Sequence, residues 1–194
     1  MIKAVLFDFF GVLYPDTFWG LANKFLGTRS EETQQELHNL IKQSDLGVID
    51  KKVFWQEAAQ LFGVPLHTLE KELGEFGGVD RELLSRITLL KEAGIKVGII
   101  SNIGQGMAES SLGSDIKLFD VLVLSGDTGF VKPDHQVYEI AIKKLNLKPA
   151  ECLFFDDIPR NVRGAEAIGM HAVHYRGLLD YDRAVKELMP NMDN

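Results

Sequence analysis

Met1-Ile2-Lys3-Ala4-Val5-Leu6-Phe7-Asp8-Phe9-Phe10-Gly11-Val12-Leu13 opens the chain with an apolar, β-branched run that stops at a carboxylate and meets a glycine three residues later. Residues 3–7 are nearly continuously apolar rather than alternating, the pattern of a strand buried on both faces of a parallel sheet. Asp8 would emerge at the carboxyl end of that strand, and Gly11 lets the chain turn sharply behind it. Residues 95–100, 121–124, 152–155 and 170–175 form four more runs of the same kind. Amphipathic stretches separate them: 80–93, with Asp80 as N-cap and Gly94 as the stop, then 138–145, 161–168 and 179–188. Alternating strands and helices predict an α/β fold with a doubly wound, Rossmann-like parallel sheet of order 3-2-1-4-5.

One segment breaks the alternation. Residues 16–76 contain no strand signal, only helical patterning such as Phe18, Leu21 and Phe25, or Phe54, Ala58 and Leu61. Breakers at Gly27, Gly47, Gly63-Val64-Pro65 and Gly77-Gly78 divide it into about four helices. The expected division is a core of residues 1–15 and 79–194 with a helical cap of 16–78. An insertion directly after the first strand would sit above the carboxyl ends of the strands, where open α/β sheets bind ligands. It is placed to act as a lid, the alternative being a bundle that only packs beside the core.

Composition excludes several classes. The 194 residues are 45% hydrophobic and 25% charged, ordinary for a globular protein with one core. The single Cys152 cannot build a disulfide framework. The apolar start ends at Asp8, too early for a signal peptide, and no run reaches the roughly 20 residues of a membrane span, so a cytoplasmic location is expected. A net charge of −7 disfavours a nucleic-acid partner. A small anionic substrate held at a locally positive site is compatible with it.

Four segments carry residues with chemistry. Asp8 can serve as a nucleophile or metal ligand, or merely cap a turn. Asp156 and Asp157 end the apolar run 152–155; two adjacent carboxylates at a strand mouth repel each other unless a cation or strong donors compensate. A hard cation such as Mg²⁺ suits oxygen ligands of this kind, although Asp157 could instead cap the next helix. Ser101 and Asn102 end the second core strand ahead of Gly104 and Gly106, offering a hydroxyl and backbone N–H groups to an anion, or an ordinary N-cap. Lys132 precedes Pro133, which biases it toward an extended conformation. Alone it reads as a solvated lysine.

In chain order these segments are D-F-F-G-V-L, I-I-S-N, V-K-P-D and F-F-D-D-I-P-R-N-V-R-G-A. Together they resemble the four motifs of the haloacid dehalogenase superfamily, over residues 1–15 and 80–178. The Gly47-Val48-Ile49 and Phe54-Trp55 stretches resemble the small helical-cap branch that includes sugar-phosphate phosphatases and the phosphatase domain of soluble epoxide hydrolase. The resemblance implies a Mg²⁺-dependent hydrolase of a small phosphorylated metabolite, monomeric or homodimeric. It implies that Asp8 attacks phosphorus and that Mg²⁺ is held by Asp8, the Phe10 carbonyl and Asp156, with or without Asp157. Lys132 would neutralise charge, while Ser101 and the Asn102 N–H would hold phosphoryl oxygens.

The chain departs from that pattern at Phe10, where the family's phosphatases carry a second Asp that protonates the leaving group and activates water. A phenyl ring transfers no proton, and such assistance is typically worth about 10²- to 10⁴-fold in rate. Three readings follow: a phosphatase for good leaving groups or with an acid elsewhere, Asp16 being the candidate; a haloacid dehalogenase, whose pattern has an aromatic here; or a binding protein that retains the fold. The absence of an arginine from the first cap helix and the Asp156-Asp157 pair weigh against the dehalogenase. Tyr14, beside the cap hinge, is a candidate substrate contact. His135 is expected to be solvated, Cys152 to be a packed apolar residue, and Trp19 and Trp55 to be core.

Overall fold

A computed structural model describes residues 1–75, 78–104 and 106–190 of the chain. Five strands, β1 (Ala4–Phe7), β2 (Lys96–Ser101), β3 (Val121–Leu124), β4 (Cys152–Asp156) and β5 (His171–His174), form one parallel sheet in the order β3-β2-β1-β4-β5. This is the predicted doubly wound topology. Phe7 lies opposite Ile99 on one side and Phe155 on the other. Asp8, Asp156 and Ser101 therefore leave the sheet at neighbouring points along its carboxyl edge.

Between β1 and β2 run α1 (Thr17–Leu26), α2 (Glu31–Asp45), α3 (Lys51–Phe62), α4 (Leu66–Glu75) and α5 (Arg81–Glu92). After β2 come α6 (Met107–Leu112), α7 (Ser125–Thr128), α8 (His135–Leu145), α9 (Pro159–Ala167) and α10 (Leu178–Leu188). Alternate residues of β1 serve opposite layers. Val5 and Phe7 join Leu83 and Ile87 of α5 and Tyr181 of α10, whereas Ala4 and Leu6 join Val137 and Ala141 of α8 and Ala165 of α9. Phe7 and Leu6 are fully buried, each worth about 1.5–3 kcal/mol of apolar transfer. Asp80 caps α5 as expected, accepting the N–H groups of Glu82 and Leu83. That cap is worth about 1 kcal/mol.

Helices α1 to α4 are the expected insertion. They bury one stripe each, and the Phe18 ring packs against Phe54 at 5.3 Å and Phe62 at 5.7 Å. The two ends of the insertion meet where the Asp80 N–H donates to the Leu13 carbonyl at 2.9 Å. The C-terminus of α2 packs against α7, at the end of β3. This brings the cap over the carboxyl edge of the sheet. Phe76 and Gly77, on which part of the expected cap boundary falls, lie outside the described residues. Among the described residues no helix is long and apolar enough to cross a membrane.

Candidate active site

Asp8, Asp156 and Lys132 converge at the edge of β1 and β4, all nearly excluded from solvent. Lys132 Nζ lies 2.7 Å from Asp8 Oδ1 and 2.5 Å from Asp156 Oδ2. Burial opposes the lysine's charge, but the attraction of the two carboxylates outweighs it and holds the ammonium above its usual range. Asp156 is pushed the other way from an ordinary ion-paired acid: burial and then the Asp8 charge raise it against the pull of Lys132. The lysine thus offsets one of the two negative charges and bridges carboxylates that would otherwise repel each other in a dry site.

Each partner is positioned by further contacts. Asp8 Oδ1 also accepts the Phe9 N–H and the Ser101 hydroxyl, both at 2.6 Å. Three donors thus converge on Oδ1, leaving Oδ2 without a hydrogen bond among the described residues. Asp156 accepts the Ile158 N–H at 2.8 Å and the Asn161 side-chain amide at 3.0 and 3.1 Å. The Asn102 side chain has a role beyond the one expected of its backbone. It clamps Lys132, accepting the Lys132 N–H at 2.7 Å and donating to the Lys132 carbonyl at 3.1 Å. Neither Ser101 nor Asn102 caps a helix, because Gly106 begins α6. On α9, Gly164 lets the Lys132-Pro133 loop approach: a Cβ there would stand 2.9 Å from the Pro133 carbonyl oxygen.

Asp157 does not cap α9, whose N-cap is Ile158. Its Oδ1 is buried without a hydrogen-bond partner among the described residues. Burial, then the Asp8 charge, push this carboxyl up to about 6. A carboxylate oxygen left this way in a protein interior is costly unless something positive meets it. One oxygen from each of Asp8, Asp156 and Asp157 lies within 4.8 Å of the others. Gly11, at φ +84°, shapes the same corner, since a Cβ there would overlap the Asp157 carboxylate.

Above these groups lies a cavity of about 280 Å³ between sheet edge and cap. Asp8, Ser101, Asn102, Lys132 and Asp157 line its floor together with Phe10, whose ring packs edge-on against Phe9 and Tyr14. Trp19 and Trp55, expected in the core, line it too and are half-buried. Asp16 sits at its exposed rim, where it caps α1 by accepting the Trp19 N–H. Tyr14 lies instead in a separate open groove beside Arg176 and Arg183, with its ring packed on Phe9. His135 is exposed, and Cys152 is buried with its thiol pushed up to about 11 by burial.

Among the cavity residues that sequence reasoning missed are Asn161, Arg160 and Asp45. Asp45, the last residue of α2, carries a carboxyl pushed up to about 7, chiefly by burial, with Lys132 and Arg160 opposing and Asp8 adding to the rise. A folded-state value above the ordinary 3.8 means that the folded protein loses stability as pH rises from about 4 to 7. Asp45→Asn is therefore expected to leave stability unchanged near pH 3.5 and to raise it by about 2–4 kcal/mol above pH 7. Melting temperatures of both proteins across that range check this. A gain independent of pH would show that the Asp45 charge is not the cost.

A family profile described as haloacid dehalogenase-like hydrolase matches residues 2–169. The chain belongs to the haloacid dehalogenase-like hydrolases. It is 28% identical over 180 residues to sesquiterpene phosphatase astK of Aspergillus oryzae, covering 89% of each chain. A shorter match, 32% over 88 residues, is to acyl-CoA dehydrogenase family member 10 of Mus musculus; it takes in 45% of this chain and only 8% of that protein. Among solved structures, the HAD family enzyme BT-2542 of Bacteroides thetaiotaomicron superposes with a TM-score of 0.71 at 19% identity, over 88% of this chain and 92% of its own. That likeness concerns the fold. The insertion after β1 and the 3-2-1-4-5 sheet are those of this hydrolase superfamily.

Proposed function

We propose that this hydrolase cleaves a small phosphomonoester through an aspartyl-phosphate on Asp8, with Mg²⁺ as its metal. The observation that carries the reading is the pairing of a three-donor anchor on Asp8 Oδ1 with the orphaned, buried Asp157 Oδ1 beside it. The anchor holds the carboxylate still, and Oδ2 is the oxygen that attacks phosphorus. Carboxylate oxygens of Asp8 and Asp157 with the Phe10 carbonyl form a hard donor set suited to Mg²⁺. Asp157 fits that set better than Asp156, whose oxygens are taken by Lys132, Asn161 and Ile158. When bound, the metal would supply positive charge that offsets the repulsion between substrate phosphate and carboxylate.

The residues of this chain do the rest. Lys132 contributes charge at the attacking carboxylate, and Asn102 fixes its backbone so that the ammonium stays in place. The Ser101 hydroxyl, which donates to Asp8 here, can rotate toward a phosphoryl oxygen, as can the Asn102 N–H serve one. In the first step the Oδ2–P bond forms as the ester P–O bond breaks. Water then attacks the same phosphorus, the P–Oδ2 bond breaks, and Asp8 and phosphate are restored. A phosphatase among the relatives supports this direction, while the substrate that its name prints belongs to that protein.

Phosphate release from a panel of monophosphates, including sugar 1-phosphates and acetyl phosphate, tests the proposal. Metal-dependent release abolished by EDTA is expected. A second reading, haloacid dehalogenase, is favoured by Phe10 lining the cavity in place of an acid. Halide release from 2-chloropropionate that persists in EDTA would replace the phosphatase reading with that one. The Phe10→Asp variant addresses the missing acid: it is expected to hydrolyse alkyl phosphates about 10²-fold faster. Unchanged or slower turnover would mean that the proton comes from another group.

A further inference from the structure

We infer that the preferred substrate is a compact aryl monophosphate, a phosphate ester of a single-ring phenol rather than of a sugar; this rests on the phosphomonoesterase reading above. The cavity has two chemically different ends. Its floor holds Asp8, Ser101, Lys132 and Asp157; on the cap side Phe18, Trp19, Ile41, Phe54 and Trp55 form an aromatic-rich wall beside the polar Thr17, His38, Ser44 and Asp45, and Phe10 lines it from the core. The aromatic wall is fixed by its own contacts. Trp55 meets Phe54 at 4.9 Å edge-on and Phe18 at 6.3 Å, and Trp19 meets Phe18 at 5.6 Å edge-on. Such a surface favours the face or edge of another ring.

On the aromatic stretch a sugar hydroxyl loses its water and regains nothing, so a sugar would be held only by the polar side chains beside it, whereas an aryl ring uses the aromatic stretch itself. Size limits the substrate to a single ring. A cavity of roughly 150 Å³ accepts one benzene ring, so about 280 Å³ holds one ring and a phosphoryl group.

Phe10 supplies an independent constraint. It stands on the cavity wall where it can give no proton to a departing oxygen. A phenolate, with a conjugate acid near pKa ~10 as in tyrosine, departs with its electron pair far more readily than a simple alkoxide. The ring that suits the wall is also the leaving group that suits the missing acid. Oδ2 of Asp8 takes the phosphoryl group, the aryl oxygen leaves as phenolate and is protonated by solvent, and water releases phosphate from Asp8. Only water is consumed.

Two measurements test this. In the Mg²⁺-loaded, unmodified protein, phenylphosphonate is expected to bind at least about 10-fold more tightly than methylphosphonate by calorimetry; equal binding would overturn the aryl assignment even with hydrolysis intact. Steady-state kinetics should then show kcat/KM for phenyl phosphate at least about 10²-fold above that for glucose 1-phosphate. Equal or higher values for the sugar phosphate would overturn it as well. Trp55→Ala should raise KM for phenyl phosphate about 10-fold and shift acetyl phosphate much less, and an equal loss on both would contradict the wall's role. If the phosphonates are discriminated while no monophosphate, acetyl phosphate included, is hydrolysed, the phosphomonoesterase reading fails, and the substrate assignment with it.

Discussion

Asp8→Asn is expected to lower kcat by at least about 10³-fold while leaving the melting temperature within a few degrees. The substitution keeps an oxygen able to accept the Phe9 N–H and the Ser101 hydroxyl, and Lys132 retains Asp156 as partner. What it removes is the nucleophilic electron pair of Oδ2, because an amide nitrogen has none to offer. A loss smaller than about 10-fold on a substrate whose hydrolysis needs metal would mean that water attacks directly, with Asp8 as a ligand only. Substrate binding should survive. An Asn variant that neither turns over nor binds would point to misfolding of the loop after β1 rather than to lost chemistry.

Removing the cation of the same cluster should act on stability as well as rate. Lys132→Met leaves Asp8 and Asp156 facing each other across a site in which both are at most 5% exposed. Breaking a buried pair by deleting one partner costs about 3–5 kcal/mol, which for a chain of this size lowers the melting temperature by roughly 6–20 °C. Adding Asp8→Asn to Lys132→Met should recover part of that loss, since one of the two stranded charges is gone. The non-additivity is the diagnostic result. Additive losses in the double variant would show that Lys132 contributes through packing on Phe154, whose ring lies 5.4 Å from its Nζ, rather than through the carboxylates.

Much of the framework was legible because its physics is local. Strands covered on both faces must be continuously apolar, and residues 121–124 could be read to the residue. The edge strand β5 was read long, at 170–175 against His171–His174, because apolar Met170 and Tyr175 extend the run at either end. The short α6 and α7 were not read. Ser125–Thr128 has one turn and no apolar stripe, so its helical form comes from the tertiary setting at the end of β3.

The site divides along the same line. Asp8, Asp156 and Lys132 were legible because strand ends and a proline mark them. Asp45 was not, since a carboxylate in the last turn of an amphipathic helix looks like any solvated helix end, and only the packing of α2 on α7 turns it inward. Trp19 and Trp55 pack against the core as read but also line the cavity, because helical spacing cannot distinguish a stripe that faces a core from one that also faces a cavity. Asn102 was read for its backbone, and its clamp on Lys132 spans 30 residues of sequence.

Covalent capture on Asp8 is the most direct measurement. The protein is mixed with a hydrolysable phosphate ester and Mg²⁺, quenched in acid during turnover, reduced with borohydride and sequenced by mass spectrometry. The account predicts metal-dependent conversion of residue 8 alone to homoserine, abolished by EDTA and by Asp8→Asn. Steady turnover with residue 8 left as unmodified aspartate under every quench time, or with label on another carboxylate, would contradict it.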